Sequence, residues 1–279
     1  MAQRERVKSK ELYPSIFGRN ALAYQRRLED LMSRGESVGR ARAMELLDAQ
    51  PGMRVLDLAC GPGNLSRRLA QKVLPGGEIV GVDLASGMIE LARSAGISNA
   101  RFEVMDIERL DLPDESFDAA ICGHGFQFAP DLPRAMREAR RVLRPDGRLA
   151  ASVPQSGFVD SVSALMDSVV DRLLPPAPVA VDQLPTKATL QDPAVFRQTA
   201  LDAGFASAHV EVIEETAHWE SADHLVSMLM GWWACASRLE GLDPLARQAF
   251  MDEAIATLRH DHPGAIETKA RSHVLFAQA

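Results

Sequence analysis

The chain has 279 residues, 46% of them hydrophobic, which is enough to bury the core of one large domain or of a domain with an elaborated cap. Its 31 lysines and arginines are outnumbered by 38 aspartates and glutamates, so the net charge is -7. This balance gives no overall attraction to nucleic acid or to an anionic membrane, and a small-molecule substrate is the better expectation.

The N-terminus is charged and is not followed by an apolar run, so we expect neither a signal peptide nor stable membrane insertion, but a cytoplasmic protein. A helical pattern then runs from Glu11 to Leu47 with a bend at residues 33–37. We expect residues 1–49 to form a helical cap on whatever follows.

Between Arg54 and Val153, short apolar strands alternate with helices. This alternation predicts a doubly wound α/β sheet, mostly parallel, with helices on both faces. Residues 50–155 are therefore the expected Rossmann-like core, which in such sheets binds a nucleotide cofactor. The five predicted strands are Val55–Ala59, Glu78–Asp83, Arg101–Asp106, Phe117–Cys122 and Arg148–Val153.

The pattern changes after Pro154, and residues 156–279 are expected to complete the sheet. Two strand candidates, His209–Thr216 and Glu267–Phe276, lack an ordinary crossover helix between them, so they should pair antiparallel at a sheet edge. The helical stretches at about 156–200 and 221–262 are expected to be inserts that bind the substrate.

The first strand ends in a glycine turn, Gly61-Pro62-Gly63, where a ligand can approach the backbone closely. With Ser66 this is a partial match to the dinucleotide fingerprint, which alone is a weak signal. Asp57 argues against a dinucleotide cofactor, because its carboxylate would repel a bound pyrophosphate. A carboxylate at this position suits a ligand that has an ammonium group and no phosphate.

Acidic residues recur at the ends of the next two strands, Asp83 and then Asp106. An acid at the end of the second strand can bind a ribose diol, and one after the third can accept from an adenine amino group. Together with Asp57, these acids point to S-adenosylmethionine, which combines an adenosine, a sulfonium and an amino-acid tail.

These motifs resemble those of class I S-adenosylmethionine-dependent methyltransferases, most closely the small-molecule enzymes of the ubiquinone/menaquinone-biosynthesis type. The resemblance is specific over about residues 50–155 and departs at Ala59, where many members have glycine. It implies a seven-stranded sheet whose last strand is antiparallel. It is carried by Asp57–Gly63, Val82-Asp83 with Met88, Asp106-Ile107, Phe117-Asp118 and Arg141–Gly147.

The resemblance also implies the cofactor contacts. The glycine turn would hold the methionine tail beside Asp57, Asp83 would bind both ribose hydroxyls, and Asp106 would bind the adenine edge. Met88 could instead be an ordinary core residue, and Asp83 a helix cap. The remaining predicted cofactor residues are Tyr24 in the cap, Ala59, Cys60, Gly61 and Gly63 in the turn, and Leu84, Ile107, Gly123 and His124 at later strand ends.

His124 follows the fourth strand, where the methyl group meets its acceptor in this fold, so it is the candidate catalytic base or orienting group. It could instead pack against the cofactor or bind a backbone carbonyl. Trp232 and Trp233 could roof the substrate pocket, form the insert's own core or make a dimer face. Other residues expected to line the pocket are Tyr13, Phe17, Phe126, Gln127 and Phe128.

The remaining histidines show no spacing with acids that would predict a metal site. The three cysteines are odd in number and widely spaced, so we expect them to be reduced thiols. The function expected is methyl transfer to a small, largely apolar acceptor, with oxygen favoured. The alternatives are C-methylation of a quinone-type lipid ring and a cyclase or binding protein that keeps the cofactor; Asp57 and Ser66 argue against a nicotinamide oxidoreductase. The expected partners are this acceptor and, at most, a second copy in a homodimer, with no nucleic acid.

Overall fold

The computed structural model describes residues 6–155, 157–180, 182 and 184–279. The main sheet has the spatial order β3-β2-β1-β4-β5-β7-β6. All neighbouring pairs from β3 to β5 are parallel, and β7 is antiparallel to both β5 and β6. The predicted seven-stranded sheet with an antiparallel last strand is confirmed. Its strands are β1 (Arg54–Leu58), β2 (Glu78–Asp83), β3 (Ala100–Val104), β4 (Phe117–Gly123), β5 (Leu143–Pro154), β6 (Ser207–Trp219) and β7 (Ile266–Gln278).

Helices cover both faces of the sheet and its carboxyl-terminal edge. No helix in the described ranges is both long enough and apolar enough to cross a membrane. Short 3₁₀ helices span Phe126–Phe128 and Leu229–Gly231. The α-helices are α1 (Ser9–Arg19), α2 (Ala21–Ser33), α3 (Val38–Leu47), α4 (Asn64–Lys72), α5 (Ser86–Ser94), α6 (Leu132–Val142), α7 (Ser161–Leu173), α8 (Leu184–Gln191), α9 (Pro193–Asp202), α10 (Ala222–Ser227), α11 (Trp233–Leu239) and α12 (Pro244–Asp261).

Alternate side chains of the central strands enter two separate cores. Val55 packs on one face with α3 and α4, through Leu47 and Leu69. Leu56 packs on the other face with α6 and α9, through Met136 among others. These strands read as nearly continuous apolar runs because both of their faces are buried. The cleft for a ligand is thereby left at the strand ends.

The N-terminal cap has one more break than its sequence pattern predicted. The bend at residues 33–37 lies between α2 and α3 as expected, but Asn20 also separates α1 from α2. The Asn20 amide donates to the Ile16 carbonyl over 2.9 Å and to Glu240 in the second insert. The prediction of one continuous helix up to the bend is therefore wrong. The Asn20 side chain caps the C-terminal end of α1 by donating to a carbonyl of its last turn, and a new helix begins after it.

Strand β5 begins five residues earlier than predicted, at Leu143 rather than Arg148. Residues 143–147 are thus part of the strand rather than a connection before it, and Asp146 takes a φ of 67°. The register against β4 shifts between Phe117 and Ala119, so the extra residues form an irregularity in the pairing. A local turn signal could not show that the neighbouring strand would pair with these residues.

Helix α7 of the first insert and the helices of the second insert share one hydrophobic core above the sheet edge. Val162 and Met166 of α7 lie in the same cluster as Leu225 of α10 and Phe250 of α12. The stretch predicted as helical at 222–260 is divided into α10, a 3₁₀ turn, α11 and α12. Helix α7 and the second insert therefore form one body over the carboxyl-terminal edge, whereas α9 packs on a face of the sheet.

Candidate active site

A cleft opens at the carboxyl ends of β1, β2 and β4, against the N-terminal helices. The turn after β1 shapes its floor, with Ala59 at a φ of 53° and Gly61 at 54°. Left-handed backbone is costly for a residue with a Cβ, so the turn stores strain where the cleft needs an open backbone. A Cβ built on Gly61 would lie 3.7 Å from the Tyr24 ring, which closes the cleft from above.

Asp83 ends β2 and lies in the wall of the cleft. Its two oxygens accept backbone N–H groups from Gly61 (2.9 Å) and Ala85 (2.8 Å). Burial raises the pKa of this carboxyl, and the two N–H groups oppose that rise. The carboxylate thus supports the glycine turn and still has lone pairs that face the cleft.

Asp57 lies behind the glycine turn rather than among the cleft-lining residues. It is 1% exposed, its Oδ2 accepts from the Ser66 hydroxyl over 2.6 Å, and its Oδ1 has no partner among the described residues. Burial raises the pKa of Asp57 to about 7, despite the hydrogen bonds from Ser66. A buried acid with one unsatisfied oxygen is costly and is suited to a cationic partner.

The third acid, Asp106, lines the cleft two residues after β3. Its Oδ2 accepts from Lys10 Nζ over 2.7 Å, and its Oδ1 accepts the Glu108 N–H over 2.9 Å. Lys10 also contacts the Glu108 carboxylate. An ion pair therefore ties α1 across the cleft at the place where the sequence predicted an adenine edge.

The cleft gathers most of the predicted cofactor residues and leaves four outside its lining. Those in the wall are Tyr24, Ala59, Gly61, Asp83, Leu84, Met88, Asp106, Ile107 and His124. Asp57, Cys60, Gly63 and Gly123 lie behind it, since their positions face neighbouring elements. Cys60, for example, packs with Ile89 and Phe102. A turn motif selects residues that shape the backbone as well as those that face the ligand.

A second cavity adjoins the cleft and contains about 1840 Å³ of empty space, including its open mouth. Its aromatic wall continues that of the cleft, with ring centroids 4.7 Å apart for Tyr13 and Phe128 and 5.1 Å apart for Tyr13 and Trp233. The predicted pocket residues that line it are Tyr13, Phe17, Gln127, Phe128, Trp232 and Trp233.

Phe126 is the exception among the predicted pocket residues. It is wholly buried and packs in the core under the sheet with α6, not in the cavity wall. Residues 126–128 form a 3₁₀ turn, so the two phenylalanines do not point the way that alternation in a strand would suggest. Of these two phenylalanines, only Phe128 faces the cavities.

His124 lines both cavities and takes a φ of 63° directly after β4. Its Nε2 lies 3.2 Å from Ser272 Oγ, and the Ser272 hydroxyl in turn donates to the Glu215 carboxylate. Because Ser272 donates its hydrogen to Glu215, Nε2 must carry the imidazole proton, which leaves Nδ1 as the basic nitrogen. Burial, with the nearby Arg40 charge, lowers the pKa of His124 well below 6.5.

Several polar residues of the site were not found from the sequence. Ser272 and Glu215 come from the two antiparallel strands, and Lys10, Arg27 and Arg40 from the N-terminal helices. None lies in a motif, and their partners are distant in the chain. An inward-facing serine in the apolar half of β7 was the only available signal.

Comparison with known proteins agrees with this architecture. Residues 49–202, just over half of the chain, match the family described as methyltransferase domain. The 2-phytyl-1,4-naphtoquinone methyltransferase of Trichormus variabilis is 37% identical over 142 residues, which are 49% of this chain. The chain covers 62% of the length of that relative, less than two thirds.

The nocamycin O-methyltransferase of Saccharothrix syringae is 30% identical over 228 residues, covering 78% of this chain and 81% of that protein. Among solved structures, the [4+2]-cyclase SpnF shares the fold, with a TM-score of 0.54 and 16% identity over 99% of this chain and 98% of that one. The family match and the nocamycin relative show that this chain belongs to the methyltransferase domain family, and its cofactor is S-adenosylmethionine.

Proposed function

We propose that the protein transfers a methyl group from S-adenosylmethionine to a small, largely apolar acceptor, preferably at oxygen. One observation carries this proposal: the cofactor cleft and the larger aromatic cavity share a wall that contains His124, Tyr24 and Phe128. A donor in the first cavity and an acceptor in the second would meet at this wall. Placement of this kind can supply most of the catalysis of a displacement, about 7–11 kcal/mol in favourable cases.

The residues of the cleft fit this cofactor. Behind the floor of the cleft, Asp57 Oδ1 is a buried oxygen without a described partner, and the ammonium group of the cofactor would favour the charged form of this acid. Asp83 would accept from the ribose hydroxyls, while Leu84 and Met88 would enclose the adenine. When bound, the cofactor supplies an electrophilic methyl group on a sulfonium. Asp106 would reach the adenine edge in competition with Lys10.

For an oxygen acceptor, His124 is proposed to take the proton that the hydroxyl loses. Its Nδ1 is the basic nitrogen, and the contact of Nε2 with Ser272 holds the ring in one orientation. The lowered pKa keeps the imidazole neutral at physiological pH, so that it can accept a proton, and it also makes the imidazole a weaker base than a free histidine. Gln127, which donates to the His124 carbonyl over 2.8 Å, would orient a polar group of the acceptor.

We also propose that the protein works in the cytoplasm and binds no nucleic acid. The net charge of -7 supports the second of these proposals, because it gives no overall attraction to nucleic acid. A homodimer is a further proposal, although Trp232 and Trp233 line the second cavity and are therefore engaged within the chain. The domain limits 1–49, 50–155 and 156–279 remain predictions.

A second candidate function is C-methylation of a quinone-type ring. It is favoured by the naphtoquinone relatives, of which the chain covers about three fifths in the first case. Cyclisation without methyl transfer is the third candidate; the likeness to SpnF at 16% identity speaks for the fold alone.

Calorimetric titration with S-adenosylhomocysteine and with NAD tests the cofactor. We expect binding of the former only, and heat from NAD alone would contradict the proposal. Incubation with S-adenosylmethionine and a panel of small phenols and hydroquinones, followed by mass spectrometry, then separates the candidates. Products with a methyl ether support O-methylation, ring-methylated products support the second candidate, and consumption of a test acceptor without formation of S-adenosylhomocysteine supports the third.

A further inference from the structure

The second cavity is lined by aromatic side chains and also by a concentration of positively charged ones. Glu36 and Glu215 are the carboxylates among the residues that line it. Glu36 is paired with Arg34 and His218, and Glu215 accepts from the Gly39 N–H and from Ser272. The cationic residues that line it are Arg27, Arg40, Lys187, Lys269 and Arg271.

Arg27 is the most unusual of these cations. It forms no ion pair and no hydrogen bond with any residue that the structure describes, yet its guanidinium lies 4.3 Å over the Trp232 ring and 5.5 Å from the Trp219 ring. Burial, assisted by the charge of Arg40, lowers the pKa of Arg27 to about 10. The side chain is nevertheless partly exposed, and no nitrogen of its guanidinium is both fully buried and unpartnered, so its free donors open onto the cavity.

A neighbouring residue shows that stacking does not by itself prevent pairing. Arg34, on the same helical arm, lies 5.6 Å from the Trp219 ring and also pairs with Asp30 and Glu36, both over 2.9 Å. The guanidinium of Arg27 thus keeps its donors free while a similar neighbour does not. A structural cation–π role alone leaves this difference unexplained.

The Arg27 side chain is also held in place along its stem. A Cβ on Gly231 would lie 2.7 Å from Arg27 Cβ and 2.9 Å from its Cδ, so the 3₁₀ turn at Leu229–Gly231 packs tightly against it. A rigid donor fork loses little entropy when a ligand binds. The donors are therefore pre-organised at the cavity wall.

Arg40 provides a second guanidinium beside the first. It is 8% exposed and donates to the Ser37 hydroxyl, the Tyr24 hydroxyl and the Gly123 carbonyl, but it pairs with no described carboxylate. The Gly123 contact places it next to His124. Two arginines without counter-ions thus lie between the aromatic wall and the residue proposed as base.

We propose that Arg27 and Arg40 form an anion-binding site for the acceptor, so that the natural acceptor is an apolar, aromatic-sized molecule that carries a planar oxyanion such as a carboxylate. This inference rests on the proposed function and makes its substrate class narrower. The fork of an arginine matches a carboxylate in two parallel hydrogen bonds, and the tryptophan faces accept the flat apolar body. Lys187 and Lys269 add to the same potential, whereas Arg271 is paired with Glu214 over 2.7 Å.

The test compares two probes of nearly equal shape, 2-naphthoate and 2-naphthamide, by calorimetry on protein saturated with S-adenosylhomocysteine. The anion should bind about ten-fold or more tighter than the amide, as expected for hydrogen bonds that involve a charge. R27Q should remove this preference, R27K should keep part of it, and R26Q should leave it unchanged, because Arg26 is exposed on the same helix outside both cavities.

Equal affinity for the two probes, no binding of either probe at millimolar concentration, or an equal loss in R26Q and R27Q would each overturn the anion site. If R27Q does not fold by circular dichroism, the wild-type probe ratio and R40Q decide the question, and R40Q should also lower the ratio. S-adenosylhomocysteine affinity is measured in the same titrations. Failure of that binding speaks against the proposed function, whereas its survival without a naphthoate preference speaks only against the anion site.

Discussion

Asp83 has two structural roles at one carboxylate, since it supports the glycine turn through the Gly61 N–H and faces the cleft. The alternative of a helix cap is partly true as well, because it also accepts the Ala85 N–H just before α5. These roles do not exclude each other, since a carboxylate has about four acceptor sites.

Replacement of this acid should therefore weaken cofactor binding strongly. Asp83→Ala is expected to lower the affinity for S-adenosylhomocysteine by about 2–4 kcal/mol, because hydrogen bonds to a charged acceptor contribute about 1.5–3 kcal/mol each. Calorimetry measures the change. Glu78→Ala is the matched control, because Glu78 lies at the other end of the same strand and its side chain is 46% exposed. Unchanged affinity in the Asp83 variant would remove it from the binding site.

His124 is connected to Glu215 through Ser272. Replacing His124 and Ser272 in turn therefore tests whether His124 acts as a base or only packs against the ligands. His124→Ala should lower kcat by about a hundred-fold or more at saturating acceptor if His124 is the base. Ser272→Ala should lower kcat less, about ten-fold, with little change in the KM for S-adenosylmethionine, because only the ring orientation is lost. The control is Ser168→Ala on the exposed side of α7. Full turnover in the His124 variant would refute the base role.

At the scale of elements, α1 covers the cofactor cleft and is held at two points. Lys10 pairs with Asp106 and Glu108, and α1 approaches α5 so closely that a Cβ on Gly87 would lie 2.4 Å from the Gly18 carbonyl oxygen. These two contacts fix α1 along the rim of the cleft.

Gly87→Ala should disturb this docking without altering any residue of the cleft wall. The added methyl group meets backbone, so α1 must shift, at a cost of about 1–3 kcal/mol in unfolding free energy. We expect faster dissociation of S-adenosylhomocysteine in stopped-flow displacement and earlier proteolytic cleavage of α1. Gly241→Ala serves as control, since a Cβ there meets nothing within 4 Å. Dissociation at the wild-type rate would show that α1 does not limit exchange.

At the scale of the whole molecule, Asp57 makes stability depend on pH. Its pKa of about 7 in the folded protein lies above the 3.8 of an ordinary aspartate, so the folded state binds more protons between these values. The contribution of Asp57 to the unfolding free energy therefore falls as the pH rises through this interval and is constant above it. In the unliganded protein, ionisation of the buried Asp57 therefore lowers the unfolding free energy, and a bound cation nearby would offset this loss.

Asp57→Asn removes this titration. The unfolding free energy of the wild type minus that of the variant should fall by about 2–4 kcal/mol from about pH 4 to about pH 8, since one pKa unit corresponds to about 1.4 kcal/mol. Urea denaturation of the unliganded protein at several pH values measures it. Ser66→Ala should extend the fall to higher pH, because loss of a hydrogen bond that favours the ionised form raises the pKa of Asp57 further. A difference independent of pH would contradict a raised pKa.

The sequence by itself determined the layout of this protein: the alternation of strands and helices, the antiparallel last strand, and the acids Asp57, Asp83 and Asp106 at successive strand ends. Such features follow from local periodicity, because the spacing of apolar residues decides which face of an element is buried. The sequence did not predict three features: the burial of Phe126, the position of Asp57 behind the turn and the earlier start of β5. Each depends on a neighbour that is distant in the chain.

Only the tertiary structure decided what surrounds the acceptor. Arg27 of α2 meets Trp232 of the second insert, and Ser272 of β7 meets His124, across separations of 205 and 148 residues. No local pattern encodes such a meeting, because it results from how whole elements pack and which side chains are left without partners. The cofactor site could be read from the ends of consecutive strands, whereas the acceptor site was assembled from elements that the sequence keeps far apart.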